Sequence, residues 1–180
     1  TCFGQMYIRN SIQSYIIQLL MTNVYFKPAT DFTDKANKLF RKQKSIISDL
    51  IPSAEIEHIG STAIPTSITK GDLDINIRVQ KENFNPAIEI LKNHYEINQP
   101  ENWTENFASF KSKIRGIDFG VQLTIIGSPT DDFVKLRDIL IKNPDLIKKF
   151  NLMKQTYNGK DMEEYRKEKA KFFEGLRKSL

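Results

Sequence analysis

The strictest alternation in the chain lies at Asp72-Leu73-Asp74-Ile75-Asn76-Ile77-Arg78-Val79. Leu73, Ile75, Ile77 and Val79 fall on one face, and Asp72, Asp74, Asn76 and Arg78 on the other. A period of two marks a half-buried strand, because successive side chains leave opposite faces of a pleated backbone. A second alternating run, residues 117–126, sets Phe119, Val121, Leu123 and Ile125 against Asp118, Gly120, Gln122 and Thr124. It follows another strand candidate, residues 106–114, across a tight turn at Arg115-Gly116. Residues 54–59 alternate small or polar with apolar and read as a further half-buried strand.

Helical spacing governs the rest. Phe32, Ala36, Leu39, Phe40, Ile46, Ile47 and Leu50 recur near the helical period, with Lys35, Lys38, Arg41, Lys42 and Lys44 facing elsewhere. Thr33 suits the N-cap of this helix and Pro52 ends it. Residues 84–92 read as a helix with Pro86 near its start, where a missing amide costs least. After Ser128-Pro129, helices are expected over residues 133–142, from Asp145 to about Tyr157 with Asn143-Pro144 as N-cap and N1, and from about Asp161 to Arg177, with Asn158-Gly159 as a break. The order α-β-turn-β-α-β-β-ααα predicts an α+β or mixed α/β sheet packed with helices.

Composition narrows the class. At 180 residues, 39% of them hydrophobic and with 12 Phe and 6 Tyr, the chain can bury a core and is neither disordered, fibrous nor of low complexity. One cysteine, Cys2, and two histidines, His58 and His94, exclude a disulfide framework, a Cys-based zinc site and a His-rich metal cluster. The expected setting is a reducing cytoplasm. No segment reaches the roughly 18–20 apolar residues of a membrane span, and the short run at Ile16–Met21, interrupted by Gln18, is not read as a signal peptide. Residues 1–20 read as a poorly specified extension, with Met21 a candidate start. Net charge is +5, and residues 135–178 hold 13 basic against 7 acidic groups, so the excess sits in the C-terminal quarter. That surplus reads either as a surface for phosphates or nucleic acid or as the solvated faces of ordinary helices.

The chemistry concentrates at His58-Ile59-Gly60-Ser61, followed by ten residues and then Asp72-Leu73-Asp74-Ile75. Glycine at a strand end lets backbone approach a ligand, Ser61 adds a hydroxyl, and the amides of a following turn make a phosphate cradle. Asp72 and Asp74, two apart on a strand, project from the same face. Adjacent carboxylates repel, and a divalent cation relieves that repulsion; oxygen-only ligands favour Mg²⁺ or Mn²⁺ over zinc. A phosphate cradle beside a metal-binding carboxylate pair is what phosphoryl or nucleotidyl transfer requires. Either half alone is ordinarily a plain turn or a solvated strand face. Their combination on consecutive strands is far more specific.

This pattern resembles the nucleotidyltransferase superfamily that includes DNA polymerase β. More narrowly, Glu57-His58-Ile59-Gly60-Ser61-Thr62-Ala63-Ile64-Pro65, with Lys70 and Asp74, is similar to the GrpB family. The similarity continues through Leu136-Arg137-Asp138-Ile139-Leu140, Asn143-Pro144-Asp145-Leu146, Lys154, Tyr165, Lys169 and Phe172 and covers roughly residues 30–178. The resemblance implies an α+β nucleotidyltransferase-like fold: residues 1–30 as the extension, 31–128 as the core, and 129–180 as a C-terminal helical lobe of the same domain. It implies Gly60, Ser61, Thr62 and Lys70 at the nucleotide, and Asp72 and Asp74 on Mg²⁺ or Mn²⁺. For the superfamily's third carboxylate, which also binds metal, Asp118 is the candidate by strand parity. Three departures stand out: Asp72 where many members are apolar, Thr66 where many carry Gly, and Gln122-Leu123-Thr124 where a His-rich stretch is common.

The implied function is a metal-dependent nucleotidyltransferase moving a nucleoside monophosphate from an NTP to an unidentified small-molecule or protein acceptor. The alternative is a non-catalytic nucleotide-binding or helper module supporting a partner enzyme such as dephospho-CoA kinase. RNA binding through the basic C-terminal helices is a third, less favoured reading, and no membrane partner is expected. His58, read as facing outward near the site, either contacts phosphate or, as favoured, holds the Gly-Ser turn by a hydrogen bond. Lys70 reads equally as a phosphate ligand or a loop lysine. Arg137, Tyr165 and Lys169 are accessory candidates lining a cleft, or else pair within their own helices. Trp103, Phe107 and Phe110 read as packing rather than as a base-stacking platform.

Overall fold

The structure, a computed structural model, describes residues 23–179, so Cys2 and the run at Ile16–Met21 lie outside the described residues. In chain order the elements are β1 (Asn23–Val24), β2 (Lys27–Pro28), α1 (Thr33–Leu50), β3 (Glu55–Ile59), β4 (Ile68–Thr69), β5 (Leu73–Val79), α2 (Lys81–Lys92), β6 (Glu96–Ile97), β7 (Phe107–Ile114), β8 (Ile117–Ile125), α3 (Phe133–Lys142), α4 (Pro144–Thr156), β9 (Lys160–Asp161) and α5 (Met162–Lys178). Two compact units are defined: residues 27–148, and residues 149–179 with the described residues 23–26.

Within residues 27–148 a five-stranded sheet runs in the order β3-β5-β8-β7-β6. In this sheet β5 and β8 pair in parallel, and the other ladders are antiparallel. The parallel pair needs a long crossover, which α2, β6 and β7 supply. Alternation then separates two faces. Ile56, Leu73, Ile75, Ile77, Val79, Ala108, Phe110, Phe119, Val121 and Leu123 form one core with Leu39 and Ile47 of α1 and Phe84, Ala87 and Leu91 of α2. The buried Tyr95 hydroxyl donates to Gln43 Oε1 at 2.9 Å, and burial pushes its phenol up to about 12. The opposite face carries Asp74, Asn76 and Arg78 of β5 beside Gly120, Gln122 and Thr124 of β8 in direct register.

Two local expectations are corrected. Thr33 is not the N-cap of α1 but its first residue; its hydroxyl donates to Ala29 O at 2.8 Å, on the short helical turn that precedes α1. The second helix starts at Lys81 and not at Phe84, so Pro86 lies inside it on an exposed position. Trp103 and Phe110 pack together with centroids 5.3 Å apart, and Phe107 stacks with Phe133 at 6.1 Å, as the packing reading expects.

In the other unit β1 pairs with β9. Asp161 caps α5, its carboxylate accepting from the Glu163 and Glu164 amides at 2.8 and 3.1 Å. Phe150 packs on Phe172 and Phe173, with centroids 4.8 and 5.2 Å apart. Among the described residues, no helix is long and apolar enough to cross a membrane.

Candidate metal and nucleotide site

β3 ends at Ile59, and the chain reverses through Gly60 and a short helical turn, Ser61–Ala63. Gly60 has φ 75° and ψ −174°, a conformation open essentially to glycine alone. A side chain there is also excluded by contact, since a Cβ on Gly60 would lie 2.3 Å from Asp74 Oδ2. On the other flank, a Cβ on Gly120 would lie 3.2 Å from Asp74 Oδ1 and 3.0 Å from Gln122 Nε2. Asp74 is thus seated between two glycines, in register with Ile59 on one neighbouring strand and Gly120 on the other. Asp72 precedes β5 on the same parity, and its carboxylate meets Lys70 Nζ at 2.9 Å. Lys70 is therefore the cation of an ion pair at the mouth of the site.

His58 holds the turn, as favoured, but from the other side of the sheet. The antiparallel ladder sets it opposite Ile75, on the core face, where it stacks on Phe40 of α1 with centroids 5.2 Å apart. Its expected outward orientation is corrected on this register. The Thr62 hydroxyl donates to Asp72 O at 3.0 Å, and its oxygen lies 3.1 Å from His58 Nε2. A hydroxyl has one proton, already given to the carbonyl, so Nε2 carries the hydrogen and donates to Thr62. Burial, and secondarily the Arg137 charge, lower the imidazole to about 4 and keep it neutral. This chain of bonds ties the end of β3 to the start of β5 through buried Thr62.

The structure does not bring Asp118 to the pair. It shares the polar face, but its register partner is Lys113, which it meets at 3.3 Å in an exposed cross-strand ion pair. Among the described residues, no group of three or more His, Cys, Asp or Glu could hold a metal ion. A side chain that does reach Asp74 across the β5–β8 ladder is Gln122, whose Nε2 lies 3.5 Å from Asp74 Oδ1. Parity places Gln122 on this face; its neutral character kept it out of the expected ligand set.

Along the same face Arg78 forms a two-pronged pair with Asp131, at 2.6 and 2.7 Å, and also meets Glu55. Burial alone would raise the Asp131 carboxyl, but bonds from Arg78 and the Gly127 amide hold it below its usual value. Arg137 of α3 donates to Glu57 Oε2 at 3.0 Å and to His58 O at 2.7 Å, so it clasps β3 rather than standing free. Tyr165 and Lys169 belong to the other unit, where buried Tyr165 packs against Phe26 and Tyr157.

Two observations bear on whether this chemistry fits a divalent cation. The paired glycines keep both flanks of Asp74 clear of any Cβ. Two buried oxygens on the same face, Asn76 Oδ1 and Gln122 Oε1, have no hydrogen-bond partner. Carboxylate and amide oxygens without nitrogen or sulfur suit Mg²⁺ or Mn²⁺, and the residues present fit such an ion.

A Gly-Ser turn and an Asp-x-Asp strand thus meet on the mixed five-stranded sheet of an α+β fold. The model of the GrpB protein family matches residues 30–179, and the chain belongs to that family. It is 32% identical over 173 residues to the UPF0157 protein VC_A0354 of Vibrio cholerae serotype O1, covering 96% of this chain and 92% of the relative. The crystal structure of the conserved protein GrpB from Enterococcus faecalis superposes with a TM-score of 0.56 at 17% identity, over 67% of this chain and 76% of that one. The Cid1 poly(U) polymerase with MgGTP bound gives a TM-score of 0.47 at 12% identity, over 67% of this chain and 41% of that one.

Proposed function

We propose that this protein is a metal-dependent nucleotidyltransferase that moves a nucleoside monophosphate from an NTP to an acceptor hydroxyl or phosphate. The observation carrying this reading is the seating of Asp74 between Gly60 and Gly120, with Asp72 one pleat away on the same face. A side chain at Gly60 would displace the carboxylate, and one at Gly120 would press on both Asp74 and the Gln122 amide, so the local backbone is fitted closely to it.

In this reading Asp72 and Asp74 hold Mg²⁺ or Mn²⁺, which when bound offsets the charge of the triphosphate and of the leaving pyrophosphate. Gly60 and Ser61 present backbone and the Ser61 hydroxyl to the triphosphate, while buried Thr62, its hydroxyl committed to Asp72 O and His58, holds the turn that carries them. Lys70, within reach of Asp72, exchanges that partner for a phosphate. An acceptor oxygen forms a bond to the α-phosphorus as the bond from that phosphorus to the bridging oxygen breaks. Pyrophosphate leaves with the bond electrons, and the acceptor proton passes to solvent. Asp118, paired with Lys113, is not needed for this scheme.

Thermal unfolding with each of four NTPs, with and without Mg²⁺, tests the reading. A ligand at about a hundred times its Kd adds about 2.7 kcal/mol, worth several degrees here. A Mg²⁺-dependent rise lost in Asp72→Asn/Asp74→Asn is the expected result. No rise with any NTP in a folded wild type would leave a helper module as the better description.

A further inference from the structure

Gln122 of β8 is hydrogen-bonded to Asp74, yet its orientation leaves an inconsistency. Nε2 reaches Asp74 Oδ1 at 3.5 Å, a long bond, while Oε1 is buried with no partner. Its register partner on β5, Asn76, is fully buried and has the same defect: Nδ2 donates to Gln122 O and Thr124 Oγ1, both at 3.0 Å, and Oδ1 is left over. A buried acceptor without a donor forfeits its hydration for nothing in return. Two on neighbouring positions of one ladder call for a common cause.

Turning the Gln122 amide about its last bond exchanges oxygen and nitrogen. Oε1 then takes the place of Nε2 beside Asp74 and is no longer without a role. Two oxygens side by side repel each other unless a cation lies with them. The turned state is therefore the one a cation selects.

We infer that Gln122 is the third oxygen ligand of the divalent cation held by Asp72 and Asp74, its amide turning to present Oε1. The inference rests on the metal site proposed above. It replaces a third carboxylate by a neutral group, in a site where Lys70 already offsets Asp72. Gln122→Glu then adds one negative charge at the cation and strengthens its hold.

Binding of Mn²⁺ alone, read from the free-ion paramagnetic resonance signal, tests this without turnover. The comparison is among wild type, Asp74→Asn, Gln122→Leu and Gln122→Glu. The expected pattern is loss of binding in Asp74→Asn, at least fivefold weakening in Gln122→Leu and at least tenfold tightening in Gln122→Glu. Loss in Asp74→Asn with both Gln122 variants unchanged overturns the Gln122 assignment and leaves the carboxylate site standing. Unchanged binding in Asp74→Asn overturns both. Should the position-122 variants fail to fold, the wild-type Gln122 side-chain amide resonance decides: displacement on Mg²⁺ titration supports the inference, and a stationary resonance while Asp74 shifts refutes it.

Discussion

Lowering the pH from about 7.5 to about 5 destabilises this fold through one buried imidazole. His58 titrates at about 4 in the folded protein against an ordinary value of 6.5. The folded chain refuses a proton that the unfolded chain accepts, so stability is fully present above the unfolded value and falls as pH drops toward the folded one. A tenfold difference in proton affinity between the two states is worth about 1.4 kcal/mol, which puts the full effect near 3 kcal/mol and the portion lost by about pH 5 near 2 kcal/mol. The structural origin is specific: the ring is stacked on Phe40, and its one observed partner, Thr62 Oγ1, accepts from Nε2 and needs no second imidazole proton. For a protein of this size, about 2 kcal/mol corresponds to roughly 4–8 °C in Tm. Urea unfolding of wild type and His58→Gln at a series of pH values isolates the contribution, because the amide keeps a donor for Thr62 but does not titrate. The variant is expected to show a flatter pH dependence between about 5 and 7 by that amount. Parallel curves for the two proteins would show that His58 carries no linked proton and refute the reasoning.

Two further substitutions separate local causes. Gly60→Ala combines a forbidden backbone with overlap on Asp74 and is expected to cost about 2–4 kcal/mol, whereas Gly116→Ala, at φ 81° with nothing within 4 Å, carries the backbone strain alone, about 1–2 kcal/mol. Chemical denaturation of both checks this, equal losses counting against the Asp74 clash. Asp161→Ala removes the cap of α5 and is expected to cost about 1 kcal/mol by urea unfolding, with Asp161→Asn recovering most of it.

The sheet was legible in the sequence wherever one face is buried and the other is not. β5 and β8 alternate without a fault, and that parity correctly put Gly120, Gln122 and Thr124 on the face of Asp74. Parity could also have placed His58, because it stands two residues from Ile56 and so shares its face. Polarity prevailed over spacing, although a neutral imidazole packs in a core like any aromatic ring. Asp118 illustrates the opposite limit. Its face was read correctly, but which cross-strand neighbour claims it depends on register, and the hairpin supplies Lys113. The two-residue strands β1, β2, β4, β6 and β9 were illegible, since a period of two needs more residues than they contain. That Gln122 reaches Asp74 depends on side-chain orientation, which composition does not encode.

Arg137 bears on something other than chemistry. β3 is an edge strand, paired on one side only with β5. An edge invites a second chain to add its own strand, and a row of bare carbonyls and amides is the template for that addition. The Arg137 guanidinium takes the His58 carbonyl and the Glu57 carboxylate together. An incoming strand therefore meets a charged plug, held by α3, at the place where β3 runs into the Gly-Ser turn. The clasp thus withdraws one carbonyl of the β3 edge from the template that an added strand would need.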